Sequence, residues 1–241
     1  FLCKRIENCA TLRYLNHIGL NKIRKSAIYK LKSERFRRLS TEGVWIILGQ
    51  AMAVSGSLLG VRLLTELLEP PQYGEMALGM TAATLVQQAI LGPLSQGATR
   101  FYAPAKESGE LHSYLSAVIG MLWKLSGCIM LAGLIVIAGM ISTDNSHWIC
   151  LVIAALCFAL LSGYNSILNS IQNAARQRSI VALHQGGESW VRYLAAVGLI
   201  LRLGRSSTVA MLGYSLSTLM VIKSQCIFFR RIYNGNGYYD G

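Results

Sequence analysis

Five polar residues, Asn165, Asn169, Gln172, Asn173 and Arg176, recur at steps of three and four, and beyond them His184, Glu188 and Arg192 are spaced by fours. Such steps stack side chains on one face of a helix, so each set predicts a polar stripe, the two joined by a short connection. Amides and a guanidinium hydrogen-bond oxygen-rich ligands, and a carboxylate one turn before the guanidinium supplies a counter-charge. The same spacing serves helix–helix hydrogen bonding and an ion pair that neutralises itself within one helix. Arg62, with Glu66 four residues on, and the adjacent Gln87 and Gln88 complete the candidate set. A guanidinium fork turned into a cavity suits phosphate oxygens, whereas on the bundle surface Arg62 would snorkel to the headgroups.

The elements that must position these residues are apolar helices. From Val44 to Val61 and from Met76 to Thr99 no residue carries a formal charge, and each run approaches or exceeds the ~20 residues that cross a bilayer as a helix. Between them, Thr65 to Glu75 holds three carboxylates and no Lys or Arg; its adjacent Pro70 and Pro71 are expected to end the first helix, and Gly74 to permit a tight reversal. Composition agrees: mean hydropathy is +0.41 and 14% of residues are charged, against about 25% in soluble chains. The chain is therefore read as an all-α polytopic membrane helix bundle. Further spans are expected at about 115–140, interrupted only by Lys124, then at about 148–171, 181–201 and 208–229, six in all. Gly92-Pro93 should kink or loosen the second span, and Arg100 to His112 should form a charged loop.

The net charge of +12 is concentrated at one end: residues 1–40 hold eleven Lys and Arg against Glu7 and Glu34. Such a distribution argues against a nucleic-acid partner and for a basic cytoplasmic leader, either an amphipathic helix on anionic lipid or a disordered segment. Residues 41–231 then form the transmembrane lobe and 232–241 a short polar tail. With the leader inside, the inner loops and tail carry Arg100, Lys106, Arg176, Arg178, Arg230 and Arg231, and the outer loops only Arg202 and Arg205. That bias places both termini in the cytoplasm. Six cysteines form no C-x-x-C pair, and four lie in apolar runs, where buried thiols acting as small hydrophobes are expected. His17, His112, His147 and His184 are scattered. No metal site, no cofactor and no catalytic set is expected.

Three segments carry a family resemblance: Gly43-Val-Trp-Ile-Ile-Leu-Gly-Gln-Ala-Met-Ala, the turn from Gly60-Val-Arg62-Leu-Leu-Thr to Pro-Pro-Gln-Tyr-Gly-Glu75, and Gly92-Pro-Leu-Ser-Gln-Gly-Ala-Thr-Arg100-Phe-Tyr. They resemble the N-terminal portion of bacterial oligosaccharide flippases, the polysaccharide-transporter branch of the superfamily that includes the MATE exporters. The likeness covers roughly residues 40–230, and such flippases have about twice this number of spans in two similar lobes. It implies one lobe of a transporter in the bacterial inner membrane that moves a polyprenyl-pyrophosphate-linked oligosaccharide for surface polysaccharide, O-antigen or lipopolysaccharide biosynthesis. Its implied partners are that lipid-linked oligosaccharide, membrane lipids, glycan-assembly proteins and a second lobe or chain. A sequence that begins at Phe1 and holds one lobe is expected to be part of a longer protein or to pair with the missing lobe. Substrate contacts are then expected from Arg62, Arg192, Glu188, Asn165, Asn169, Gln87 and Gln88. The alternatives are a membrane-embedded glycan-assembly enzyme, which would need a catalytic set in a large outer loop, and a non-transporting adaptor.

Overall fold

The computed structural model describes residues 43–142, 148–175 and 177–234. The basic leader, Arg176, the polar loop residues 143–147 and the end of the tail lie outside the described residues. The bundle considered below belongs to the compact unit Ile46–Gly241. Its helices are α1 (Gly43–Leu67), α2 (Pro70–Glu107), α3 (Leu111–Ser142), α4 (Ile149–Ala174), α5 (Arg178–Leu203) and α6 (Ser207–Asn234). No strand occurs among the described residues. Helices α1 to α4 are long and apolar enough to cross a membrane. Helices α5 and α6, of 26 and 28 residues, have the length for it, about 39 and 42 Å at 1.5 Å per residue, but carry more polar groups. The architecture is an all-α membrane helix bundle.

Two boundaries differ from the sequence expectation. Helix α1 ends at Leu67, before the prolines, and Pro70 and Pro71 instead open α2, because a first helical turn has no use for the N–H that proline lacks. Gly74 is helical, so the reversal is made by Leu68 and Glu69. The charged stretch from Arg100 is likewise not a loop: α2 continues through Pro104 to Glu107, and only Ser108 to Glu110 turn the chain. Gly109 takes φ of 77° there, a left-handed conformation that glycine adopts freely. At 38 residues, α2 runs about 57 Å, well beyond the ~30 Å hydrocarbon core, so its charged end can stand in the interface. Gly204 (φ 109°) lies in the turn between α5 and α6.

Helix α4 is the axis of the bundle. One apolar core forms where Ala154, Phe158 and Ala159 of α4 meet Met76 and Ala83 of α2, Ala196 and Ile200 of α5, and Met211 and Tyr214 of α6. A second unites Leu91 and Ala98 of α2, Leu122 and Ile129 of α3, and Ile167 and Ile171 of α4. Small residues set these distances. A Cβ on Gly213 would stand 2.5 Å from the Ala196 Cα, and one on Gly163 would run into Leu91 Cδ1. Leu131, Ile135 and Leu201 are among the many large apolar side chains pointing outward, as faces turned to hydrocarbon require. The thiols follow them: Cys128, Cys150, Cys157 and Cys226 are exposed on the bundle surface rather than buried within it.

Candidate functional site

The second helix is not regular. Pro93 has no N–H for the carbonyl four residues back, and on its N-terminal side Gln87–Leu91 forms a π-helical segment in which the Gly92 N–H reaches the Gln87 carbonyl. Such a bulge inserts an extra residue into the helix and re-aims the side chains around it. Here it turns Gln87 and Gln88 toward α4 and α5, where Ser162 Oγ donates to Gln87 Oε1 at 2.9 Å.

A polar cleft of about 360 Å³ opens below this bulge, walled by α2, α4 and α5. It occupies the half of the bundle nearer the α2–α3 and α4–α5 connections. Helix α4 supplies Ser162, Asn165, Ser166, Asn169, Ser170 and Asn173, a serine-and-asparagine stripe that repeats every turn. Ser95 of α2 pairs with Ser170 at 2.6 Å and Ser166 at 3.3 Å. Gln96 of α2 and Gln185, Glu188 and Arg192 of α5 complete the wall. Lipid cannot satisfy amides and hydroxyls at this depth, so the cleft is a place for water or a polar solute.

The two charges in the cleft are bound to each other. Arg192 Nη2 donates to Glu188 Oε1, and Asn165 Nδ2 donates to Glu188 Oε2 at 2.7 Å. Behind the pair the Arg192 guanidinium lies over Phe158 and Tyr214, 5.6 and 5.8 Å from the ring centroids, a favourable approach of cation to π face. One buried carboxylate thus ties α4 to α5, while two aromatic rings fix its partner. Deeper still, Gln225 Nε2 of α6 donates to Asn169 Oδ1 at 2.9 Å.

Six of the seven residues selected from the sequence, Gln87, Gln88, Asn165, Asn169, Glu188 and Arg192, line this one cleft. Arg62 does not. It stands on the surface of α1 with its side chain 79% exposed, its Nε 3.3 Å from Glu66 Oε1. The α5 stripe also divides. His184 turns to α6: its Nδ1–H is donated to the Ile180 carbonyl of its own helix at 2.8 Å, and its Nε2 stands 3.2 Å from Ser224 Oγ of α6. Gln172 of the α4 stripe is 1% exposed and does not line the cleft. The serines of α4 were not singled out, although their spacing carries the same periodic signal as the asparagines between them. Phe158 and Tyr214 gave no signal, because an aromatic beside a buried cation reads in sequence like any core aromatic.

A second cavity, about 370 Å³ and apolar, lies on the other side of α2. Val86, Ile90, Gly133, Leu156 and Ala159 are among its walls. Comparison of the chain with protein-family models, with curated proteins and with solved structures finds no match.

Proposed function

We propose that the chain is one lobe of a bacterial oligosaccharide flippase, carrying a polyprenyl-pyrophosphate-linked oligosaccharide across the inner membrane without altering it. The observation that carries this reading is the cleft itself: a space of about 360 Å³, lined by amides, hydroxyls and one self-neutralised ion pair, inside a bundle whose outer faces are apolar. A hydrophilic glycan cannot cross hydrocarbon unaided, because each polar group stripped of water and left unpaired costs several kcal/mol. The cleft replaces that water while the polyprenyl tail stays in lipid. Among the described residues the connections at 68–69, 108–110 and 204–206 are two or three residues long, which favours a binding cleft over the large catalytic loop of a membrane-embedded enzyme. With both termini cytoplasmic, as the Lys and Arg asymmetry favours, the cleft lies in the inner half of the bilayer, where a newly assembled glycan would arrive. Closure of its open side falls to a second lobe or chain, against which this bundle would rock.

Deletion of the gene in the bacterium that encodes it tests the reading. The expected result is loss of one surface glycan with its lipid-linked precursor accumulating on the inner leaflet. Unchanged surface glycans and no accumulated precursor would refute it.

A further inference from the structure

We infer that the apolar cavity beside α2 is a lipid site, taking one acyl chain of a phospholipid from the leaflet at the α3–α4 end of the bundle. This goes beyond the transporter reading and does not depend on it. The cavity exists because α3 packs on Gln87–Leu91 and Gly92–Glu107 of α2 but stands off from Pro70–Val86. A wedge is left between the two helices, and α4 floors it. The floor is made of small buried residues: Gly79 and Ala83 of α2, Gly133 of α3, and Ala155 and Ala159 of α4. At the rim Leu78 and Val136 are 64% and 52% exposed, so the wedge opens on the outer surface of the bundle between α2 and α3.

Chemistry and length together define the occupant. Glycine, alanine, valine, leucine, isoleucine and Trp148 line the space, and water held there would need several polar partners. Its volume of about 370 Å³ exceeds the ~150 Å³ of an apolar cavity that stays dry and takes up benzene. From Trp148 to Ala159 the α4 wall is about 17 Å long, and from Leu78 to Ile90 the α2 wall is about 18 Å long, at 1.5 Å per residue. Half of the ~30 Å hydrocarbon core is about 15 Å, so the wedge is one leaflet deep, which is the reach of one acyl chain. Trp148 stands at the shallow end, where an indole suits the interface, and Ile90, Ile129 and Ala159 stand at the deep end. A polyprenyl chain, far longer than one leaflet, has no such match. The wedge and the polar cleft share no lining residue, and Leu91 packs against Gly163 between them, so the lipid site is separate from the cleft.

Phosphatidylglycerol carrying a diazirine in one acyl chain, built into nanodiscs with the full chain, tests the inference by photolysis and peptide mass spectrometry. Adducts should be several-fold denser on Ala82, Ile90, Ala132 and Leu156 of the wedge than on Leu131 and Leu201, which are 63% and 70% exposed outside it. A diazirine at the methyl end of the chain should mark Ile90 and Ala159, and one near the glycerol should mark Leu78 and Val136. Ala82→Phe with Ala132→Phe fills the wedge from two exposed positions; it should abolish the excess and leave the labelling of Leu201 unchanged. Even labelling of wedge and outer surface would overturn the inference, as would the two diazirine positions marking the ends in reverse order. Both outcomes are read on the wild type and need no variant to fold. An excess that survives in the filled variant would overturn it too. A photoactivatable polyprenyl phosphate is the second probe, and wedge labelling by it in preference to phosphatidylglycerol would overturn the assignment to an acyl chain.

Discussion

Asn165 and Glu188 meet across the cleft, Nδ2 to Oε2 at 2.7 Å, and this hydrogen bond joins the central helix to the helix that carries the ion pair. Glu188 is 7% exposed, so its carboxylate oxygens are satisfied by protein partners rather than by bulk water. Asn165→Ala removes one of them and should cost about 1–3 kcal/mol, read as a lowered unfolding midpoint in detergent. Asn165→Asp should cost more than Asn165→Ala, because it sets like charges against each other. Equal stability of the wild type and both variants would mean that the contact holds nothing together.

Removing one member of the Glu188–Arg192 pair strands the other inside the bundle. Glu188→Leu and Arg192→Leu should each destabilise by about 3 kcal/mol or more, and the double substitution by less than the sum, since it leaves no unpaired charge. Strict additivity in the same unfolding assay would show that the two side chains do not act as a pair.

Gly213 brings α6 against the backbone of α5, where a Cβ would meet Ala196 Cα at 2.5 Å and its N at 2.8 Å. Backbone cannot swing aside as a side chain end can, so Gly213→Ala should cost about 1–3 kcal/mol through forced separation of the helices. Gly97→Ala, with nothing within 4 Å of the added carbon, is the matched control and should be neutral or slightly stabilising. Similar melting behaviour of the two variants would contradict this packing.

Pro93→Ala restores an N–H and with it the regular helical ladder. The π segment should then straighten, gaining local stability while rotating Gln87 away from Ser162. The expected outcome is a chain that melts no lower than wild type but binds lipid-linked oligosaccharide more weakly. Undiminished binding would show that the bulge does not set the cleft.

The Arg62–Glu66 pair is exposed on both sides, 79% and 62%, and exposed pairs contribute about 0–1 kcal/mol. Arg62→Gln should therefore change neither melting nor sugar binding measurably. A loss of binding would return Arg62 to the set of substrate contacts.

The bundle was legible because charge is so costly in hydrocarbon that the spans stand out as uncharged runs, and the π segment was foreshadowed by Gly92-Pro93. The ends of α1 and α2 were harder. Proline marks a place where a regular ladder is interrupted, but whether Pro70 closes one helix or opens the next depends on which side the N–H is missed. In the same way, the charges from Arg100 to Glu107 signal departure from the hydrocarbon, not from the helix. In the site, strict three- and four-residue spacing selected Asn165, Asn169, Glu188 and Arg192 on helix faces. Spacing alone, however, fixes neither the rotation of one helix against its neighbour nor the tilt along its length. For that reason His184 shares a stripe with Glu188 yet turns to α6, while Arg62 has the right chemistry on a helix face that never reaches the cleft.

The central claim, that this cleft holds the polar part of a lipid-linked oligosaccharide, is tested most directly by chemical protection. In a chain whose native cysteines are replaced by serine, Ser166→Cys places a thiol on the α4 wall of the cleft and Ser108→Cys places one in the exposed turn between α2 and α3. Both are labelled in membranes by a water-soluble maleimide, with and without polyprenyl-pyrophosphate-linked oligosaccharide and with the sugar-free polyprenyl pyrophosphate as control. The account predicts that the lipid-linked oligosaccharide slows labelling at Ser166→Cys several-fold, that the sugar-free lipid does not, and that Ser108→Cys is indifferent to both. Labelling of Ser166→Cys at the same rate in all three conditions would contradict it.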